Sequence, residues 1–477
     1  MMNEQMEMGF EEGKKLQEIP DIQISYKKTG DPFVDAGGMA LQYITEKFPE
    51  KNIMQLIEWA AKVYVEKWGG KLNSVFHGSP ITHPTTPNNQ RIPKTIEAFN
   101  KLTKELNEGY CRYCGQKAFL TEAGREKSCL VGSGAFVNFH HAHEEGLMIC
   151  PSCVTKYFFL PFALIQMGNL SLLHTVTNHG EEYWKRKTIF QNLDKISRNT
   201  SDSMLKSEIK NPSNAIFSFA SELINEFENE FLNENLTLYH FTNFAASVDC
   251  SIFLIPNPVF KFLSQTLKSV PRQWYKFVYQ HYHISGAKWD DATNTWQKKG
   301  NQVTEDEYQN NKNNVYNALL EGNSILRSMT RYYQNQINRD IGLDSRMAIY
   351  YAKEVLQMTT EQIAMIRKIG SKIFDLMEKG DSFKKYMVKL ESTSKAHQFR
   401  SALLTIIKRN YTEGNEDPIV TLEEWVNYLF PDGSYWGEVR DLLLIFLYEK
   451  MHESKIDIDL SDDEVEETTE QEENKGA

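Results

Sequence analysis

Cys111-Arg-Tyr-Cys114 and Cys150-Pro-Ser-Cys153 are two C-x2-C pairs, separated by 35 residues, that contain four of the six cysteines in this 477-residue chain. Each pair presents two thiolates from one tight turn, and two such turns complete a tetrahedral four-cysteine zinc site. A site with four thiolate ligands is closed, so its metal ion stabilises a fold and activates no water. The spacing therefore predicts a structural zinc ion held by these four cysteines.

The segment between the two pairs is too long for a compact zinc ribbon, and it includes Gly132-Ser-Gly-Ala-Phe-Val-Asn-Phe-His-His-Ala-His143. A metal-dependent nuclease of the His-Asn-His type can also lie between two C-x2-C pairs, with a histidine as general base and a second metal ion. Such a site requires further His or Asn ligands after the second pair, and Val154–Pro161 offers none. We therefore keep the nuclease as an alternative, and the simpler interpretation is that Asn138, His140 and His141 hydrogen-bond a loop or contact a phosphate.

Composition places the chain among soluble proteins of more than one domain. It is 41% hydrophobic and 25% charged, and its length suggests two to four domains. The longest apolar run, Tyr157–Ile165, has nine residues and is far too short to span a bilayer. The first residues do not resemble a signal peptide, and cysteines in metal-type pairs are typical of a reducing cytosol. These features predict a cytoplasmic protein.

The net charge of −11 is unevenly distributed. Residues 323–412 contain 16 basic and 8 acidic side chains, whereas residues 413–477 contain 4 basic and 20 acidic side chains. A basic block beside an acidic tail is typical of nucleic-acid-binding proteins. A solvated helical surface followed by a solubilising tail explains the same charges equally well.

Hydrophobic periodicity predicts an α+β fold with several domains. The turn-rich segment Thr29–Gly38 is expected to be a loop leading into a helix, and residues 157–167 are expected to form a helix that packs on the metal site. From residue 315 onward the period is helical almost throughout. The expected organisation is an N-terminal part of an α+β body (1–109), the zinc motif with its insert (110–165), the remainder of the body (166–313), a C-terminal helical bundle (314–455) and a disordered acidic tail (456–477).

The basic helices of the bundle contain three adjacent pairs of cations that could neutralise phosphates without recognising sequence. A solvated face is the simpler interpretation of any single pair, but the excess of positive charge favours phosphate binding by the three pairs together. The predicted nucleic-acid contacts are Arg367, Lys368, Lys384, Lys385, Lys408 and Arg409.

Two C-x2-C pairs around Gly-Ser-Gly-Ala-Phe-Val-Asn-Phe-His-His resemble the CRISPR-associated CXXC–CXXC family. The segments Thr29-Gly-Asp-Pro-Phe-Val-Asp-Ala-Gly37 and Asn73–Pro87 are similar to the same family. That family supplies the large subunit of type I-B Cascade surveillance complexes in prokaryotes. The resemblance covers most of the chain, with about 70 residues specific to it.

The resemblance implies a role without catalysis. Asn138, His140 and His141 match the insert of that family, so the resemblance also implies that they contact DNA or guide RNA. Such large subunits hold the 5′ end of the guide RNA (crRNA), recognise the protospacer-adjacent motif in double-stranded target DNA, and help to unwind it. They also bind the other Cascade subunits and the nuclease-helicase that destroys the target. The C-terminal bundle resembles the small subunit of these complexes, which in related systems is also made from an internal start, for which Met329 or Met347 would be candidates. A zinc-containing scaffold that binds no nucleic acid is a third possibility.

Overall fold

The computed structural model of the protein describes residues 22–102, 107–129, 147–227, 233–243, 249–290, 293–336, 343–378, 383–415, 417–430 and 436–456. Apart from residue 456, the predicted acidic tail lies outside these ranges, so its disorder stays a prediction. Within the described ranges, no helix is both long enough and apolar enough to cross a membrane.

The chain divides into two compact units. The first consists of Met1–Leu223 and Glu234–Ile255, and the second of Ile224–Asn233 and Pro256–Ala477. The predicted boundary between residues 313 and 314 lies inside the second unit. Asn313 is buried and links the chain on both sides of this boundary. Its side-chain amide donates to the Val278 carbonyl (2.9 Å), and its side-chain oxygen accepts from the backbone N–H of Val315.

The first unit combines short helices with two sheets. Its helices are α1 (Pro32–Lys47), α2 (Ile53–Lys62), α3 (Asn88–Lys101), α4 (Pro151–Phe158), α5 (Asn178–Lys185) and α6 (Gln191–Ser197), and α7 (Pro212–Glu226) begins in it. Its strands are β1 (Asn107–Tyr110), β2 (Lys117–Ala123), β3 (Leu147–Ile149), β4 (Ile165–Met167), β5 (Asn169–Thr175), β6 (Leu205–Lys206), β7 (Leu236–Thr242) and β8 (Asp249–Ile255).

The larger sheet has the strand order β6-β4-β5-β7-β8. Its strands pair antiparallel except for β4 with β6. Helix α1 lies against this sheet, since the ring of Phe33 packs on Phe241 of β7 at a centroid distance of 4.9 Å and on Tyr239 at 5.5 Å. The smaller sheet has the order β1-β2-β3 and contains the strands that precede both cysteine pairs.

Helix α1 begins at Pro32, so the predicted loop over residues 29–38 is wrong from Pro32 onward. The side chain of Asp31 accepts hydrogen bonds from the backbone of Phe33 (3.0 Å) and Val34 (2.8 Å), which satisfies the first turn. Pro32 at the first helical position lacks only an N–H that the helix would leave unpaired. This N-cap outweighs the turn-like composition that the two following glycines give the segment.

The predicted helix over residues 157–167 is also wrong beyond its start. Helix α4 ends at Phe158, a 3-10 turn follows over Leu160–Ala163, and the chain then enters β4. Pro161 lacks the N–H that a continuing α-helix would need. Gly168, with a φ of +68°, makes the turn into β5.

The second unit is mainly helical. Its helices are α8 (Asn257–Ser269), α9 (Pro271–Gln280), α10 (Glu305–Tyr308), α11 (Asn314–Glu321), α12 (Leu326–Gln336), α13 (Arg346–Glu354), α14 (Thr360–Glu378), α15 (Phe383–Glu391), α16 (Ala396–Thr412), α17 (Leu422–Glu424) and α18 (Trp436–Glu453). Three short strands form a small sheet: β9 (Lys288–Asp290), β10 (Thr295–Lys298) and β11 (Asn301–Gln302).

Helix α18 lies at the centre of the helical bundle and is buried on all sides, with α12, α14 and α16 packed around it. Its buried charges are paired: Asp441 accepts from Arg440 (2.9 Å), and Glu449 accepts from the backbone of Ser345 (2.7 Å). Pairing is what makes these buried charges tolerable in an apolar core. The predicted C-terminal helices are therefore confirmed, as is the mixed α+β class of the chain.

Candidate functional site

The first cysteine pair forms the turn between β1 and β2. The N–H of Cys111 donates to the Gln116 carbonyl (3.0 Å), and the N–H of Gly115 donates back to the Cys111 carbonyl (2.9 Å). Gly115 has a φ of +66°, a conformation that glycine adopts at little cost. This closed turn directs both thiols of the pair to one side.

The second cysteine pair forms the start of α4. Cys150 follows β3 and is the N-cap residue, with Pro151 at the first helical position and Cys153 one turn along the helix. The two pairs are joined directly, because the N–H of Cys150 donates to the Cys111 sulfur at 3.3 Å. The short sheet and α4 thus bring residues 36 to 42 positions apart to one point.

The four predicted ligands meet in space. Their sulfur atoms all lie within 4.8 Å of one another, and the Cys114 and Cys150 sulfurs are 3.8 Å apart. Four thiolates bound at about 2.3 Å to a tetrahedral zinc ion lie about 3.8 Å from each other. The group could therefore hold a metal ion, and its size is compatible with zinc.

Electrostatics also favour a cation between these sulfurs. Hydrogen bonds from Cys150 and Cys153 hold the pKa of the Cys111 thiol far below its ordinary value. Sharing a proton with that thiolate raises the pKa of Cys150 to about 12 and raises the pKa of Cys153 still further. Without a cation, the sulfurs compete for protons, whereas a divalent metal ion stabilises the thiolate form of every ligand.

The two remaining cysteines, Cys129 and Cys250, do not belong to this cluster. Cys129 is buried, and burial raises the pKa of its thiol. Cys250 lies on β8 and is half-buried. Among the described residues, these four cysteines are the group of three or more Cys, His, Asp or Glu side chains close enough together to hold a metal ion.

Asn138, His140 and His141 lie outside the described residues. Their predicted contact with nucleic acid, and the alternative that two of them belong to a nuclease, both stay predictions.

The structure places the six predicted cations on three helices, α14, α15 and α16. On α14, Arg367 pairs with buried Glu449 (3.7 Å) and lies over the Phe446 ring (5.6 Å). Lys368 on the same helix pairs with Glu424 at 2.7 Å. Both side chains therefore already have partners within the second unit, which makes them weaker candidates for binding phosphate.

The other four cations form what we call the basic surface: Lys384, Lys385, Lys408 and Arg409, on the packed helices α15 and α16.

Lys385 and Lys408 of this surface are exposed. Arg409 pairs with Glu413 (2.5 Å) and lies over the Tyr386 ring at 5.1 Å. Tyr411 lies three residues after Lys408 on the same helix and is 81% exposed.

Residues 344–475 match the family model of the DevT C-terminal domain. DevT is a CRISPR-associated protein of the Cascade type. The matched region begins just before α13 and does not include the cysteine pairs. No curated protein and no solved structure matches this chain. The helices of the bundle from α13 onward are therefore similar to a domain of a CRISPR-associated protein.

Proposed function

We propose that this chain is the large subunit of a type I-B Cascade surveillance complex, with no catalytic activity of its own. The observation that supports this most is the match of residues 344–475 to the DevT C-terminal domain. The four-cysteine cluster in the other unit supports it independently, since two C-x2-C pairs around a long insert are what the resemblance to the CXXC–CXXC family rests on.

In this proposal the protein recognises a short protospacer-adjacent motif and the nucleic-acid backbone, while the guide RNA recognises the rest of the target by base pairing. Its partners are the guide RNA at its 5′ end, double-stranded target DNA, the other Cascade subunits and the nuclease-helicase. A zinc ion in the cysteine cluster has a structural role, because four thiolates leave no open coordination position for substrate.

Purification with the products of the neighbouring genes tests the proposal. We expect a guide RNA of uniform length to co-purify with the chain, and RNA extraction and sequencing would identify it. The purified complex is expected to leave duplex DNA intact in the presence of magnesium. Cleavage that disappears in a His140→Ala variant would instead favour the nuclease, and a complex without any RNA would contradict the proposal.

The basic surface gives a second expected result. The double variant Lys385→Glu/Lys408→Glu should weaken DNA binding to all sequences alike. It should also reduce the slope of log affinity against log salt by about 2, since each lost phosphate contact removes about 1. Fluorescence anisotropy with labelled duplexes at several salt concentrations measures both quantities.

The matched control is Lys298→Glu/Lys299→Glu, which makes the same change in charge at exposed positions on the hairpin of β10 and β11. This control should leave the slope nearly unchanged. If both double variants lower affinity equally, the effect is one of net charge, and the basic surface is not a binding site.

A further inference from the structure

A cavity of about 110 Å³ lies within the first unit, between α1, α4, β5 and α5. One water molecule needs only about 10–15 Å³ of such space, so the cavity has room for several waters or for a larger polar group. Its rim includes Lys28 and Gln42, both exposed, so it opens to solvent. We call it the lysine pocket because Lys28, Lys156 and Lys185 line it.

The most buried of these lysines is Lys156 on α4, which is only 2% exposed. Its ammonium group donates to the Lys27 carbonyl at 3.1 Å, and that carbonyl is its hydrogen-bond partner among the described residues. An ammonium group has three N–H donors, and leaving a buried charge with one neutral partner is costly. The remaining donors therefore require acceptors inside the pocket.

The carboxylates that line the pocket are already matched by donors. Asp35 accepts from the backbone N–H groups of Thr29 (2.8 Å) and Gly30 (3.0 Å) and from the Thr29 hydroxyl (2.8 Å). Glu181 pairs with Lys28. Neither carboxylate is paired with Lys156 or with Lys185, so the donors of these two lysines are left for another anion.

His174 on β5 and Lys185 on α5 complete the donor set of the lysine pocket. In the described part of the chain, neither side chain makes a hydrogen bond or an ion pair. Burial lowers the pKa of His174, although Asp35 and Glu181 oppose the effect. A neutral imidazole still provides one N–H donor, so the ring can contribute to binding near neutral pH.

The segment Thr29–Gly38, one of the stretches that resembles the CXXC–CXXC family, forms one wall of this pocket. It supplies Asp35, and it brings the backbone of α1 close to Lys156. Gly38 packs beside the Lys156 side chain, where an added Cβ atom would lie 3.1 Å away. This segment therefore borders the buried lysine directly.

We infer that the lysine pocket binds a phosphate-type oxyanion through Lys156, Lys185 and His174. The pocket has three lysines and two carboxylates in its lining, so it is net positive before any ligand binds. An oxyanion with several acceptor oxygens can pair with converging N–H donors at once, and hydrogen bonds between charged groups are the strong ones. The ligand would be free phosphate or the terminal phosphate of a nucleic-acid strand.

Titration calorimetry of the full chain with inorganic phosphate, at constant ionic strength set with chloride, tests this inference without any guide RNA. We expect saturable binding of phosphate, weakened about tenfold or more by Lys156→Met, because one hydrogen bond to a charged group is lost. Lys195→Met, at an exposed position on α6 outside the pocket, is the control and should bind as the unchanged protein does. Absence of phosphate binding in the unchanged protein would overturn the inference.

If Lys156→Met does not fold, Lys185→Met provides the same test at a half-buried position. Binding that is equally strong in this variant would overturn the inference. A second arm compares a short single-stranded oligonucleotide with and without a 5′-phosphate. If the phosphorylated strand binds more tightly and this difference is lost in Lys185→Met, the anion is the terminus of a strand. If both strands bind equally and inorganic phosphate also binds, the anion is free phosphate. A failure of these tests leaves co-purification of guide RNA unaffected, so the two proposals can fail separately.

Discussion

Cys150→Ser is expected to release the metal ion and to unfold part of the first unit. Serine does not ionise at neutral pH, so three thiolates would remain. Structural zinc sites contribute about 10–16 kcal/mol of binding free energy in small peptides. We expect the loss of one ligand to lower the free energy of unfolding of this larger unit by several kcal/mol. Inductively coupled plasma mass spectrometry would measure the metal content, and a thermal melt would measure the stability.

Cys150 is the most informative ligand because it has two structural roles. It is the N-cap residue of α4, and its N–H donates to the Cys111 sulfur. Helix α4 in turn anchors the core, since the Tyr157 hydroxyl donates to the Val75 carbonyl at 3.0 Å. Loss of metal should therefore disorder α4 and weaken contacts well beyond the cysteines.

Cys129→Ser is the matched control, since Cys129 is 4% exposed and Cys150 is 5% exposed. It introduces the same hydroxyl into a buried position but removes no sulfur from the cluster. This substitution should lower the free energy of unfolding by only about 1–3 kcal/mol, the penalty for a buried hydroxyl without a full set of hydrogen-bond partners. Equal metal content and equal melting temperatures for the two variants would contradict a structural metal site.

Local signals in the sequence predicted much of this fold. The two C-x2-C pairs predicted a cluster that long-range packing does assemble. A capping box begins α17, with Glu424 accepting from the Thr421 backbone N–H at 2.9 Å. Asn52 begins α2 in the same way, since its side-chain oxygen accepts from the Gln55 backbone N–H at 2.9 Å. In both caps the interacting residues are three positions apart, so the sequence alone contains the signal, whereas the two cysteine pairs meet only through the fold.

Features set by distant residues were not predictable. Lys368 and Glu424 are far apart in the sequence, so nothing local shows that this lysine is paired. The lysine pocket is assembled from segments between Tyr26 and Lys185, and only the fold brings His174 close to Lys156. In the sequence, the glycines at positions 37 and 38 indicated a loop. In the fold they lie where α1 packs closely against α4, and neither has an unusual backbone conformation.

Gly37→Ala is expected to destabilise the first unit by about 3 kcal/mol or more, the upper range for an overpacked core. A Cβ atom at this position would lie 2.1 Å from the Lys156 carbonyl oxygen and 2.9 Å from its carbon. Both atoms belong to the backbone of α4, so no side-chain rotation relieves the clash. The two helices must separate, which also displaces the helix that bears Cys150 and Cys153.

Gly38→Ala is the adjacent comparison, and it should change stability little. Its Cβ would meet the flexible side chain of Lys156 at 3.1 Å, and alanine favours a helix interior by about 1 kcal/mol over glycine. Urea unfolding followed by circular dichroism should therefore give a lower midpoint for Gly37→Ala alone, together with a lower metal content. Similar midpoints for both variants would mean that α1 does not depend on close approach to α4. The contrast isolates backbone contact from helix propensity, since the two positions are neighbours in one helix and receive the same methyl group.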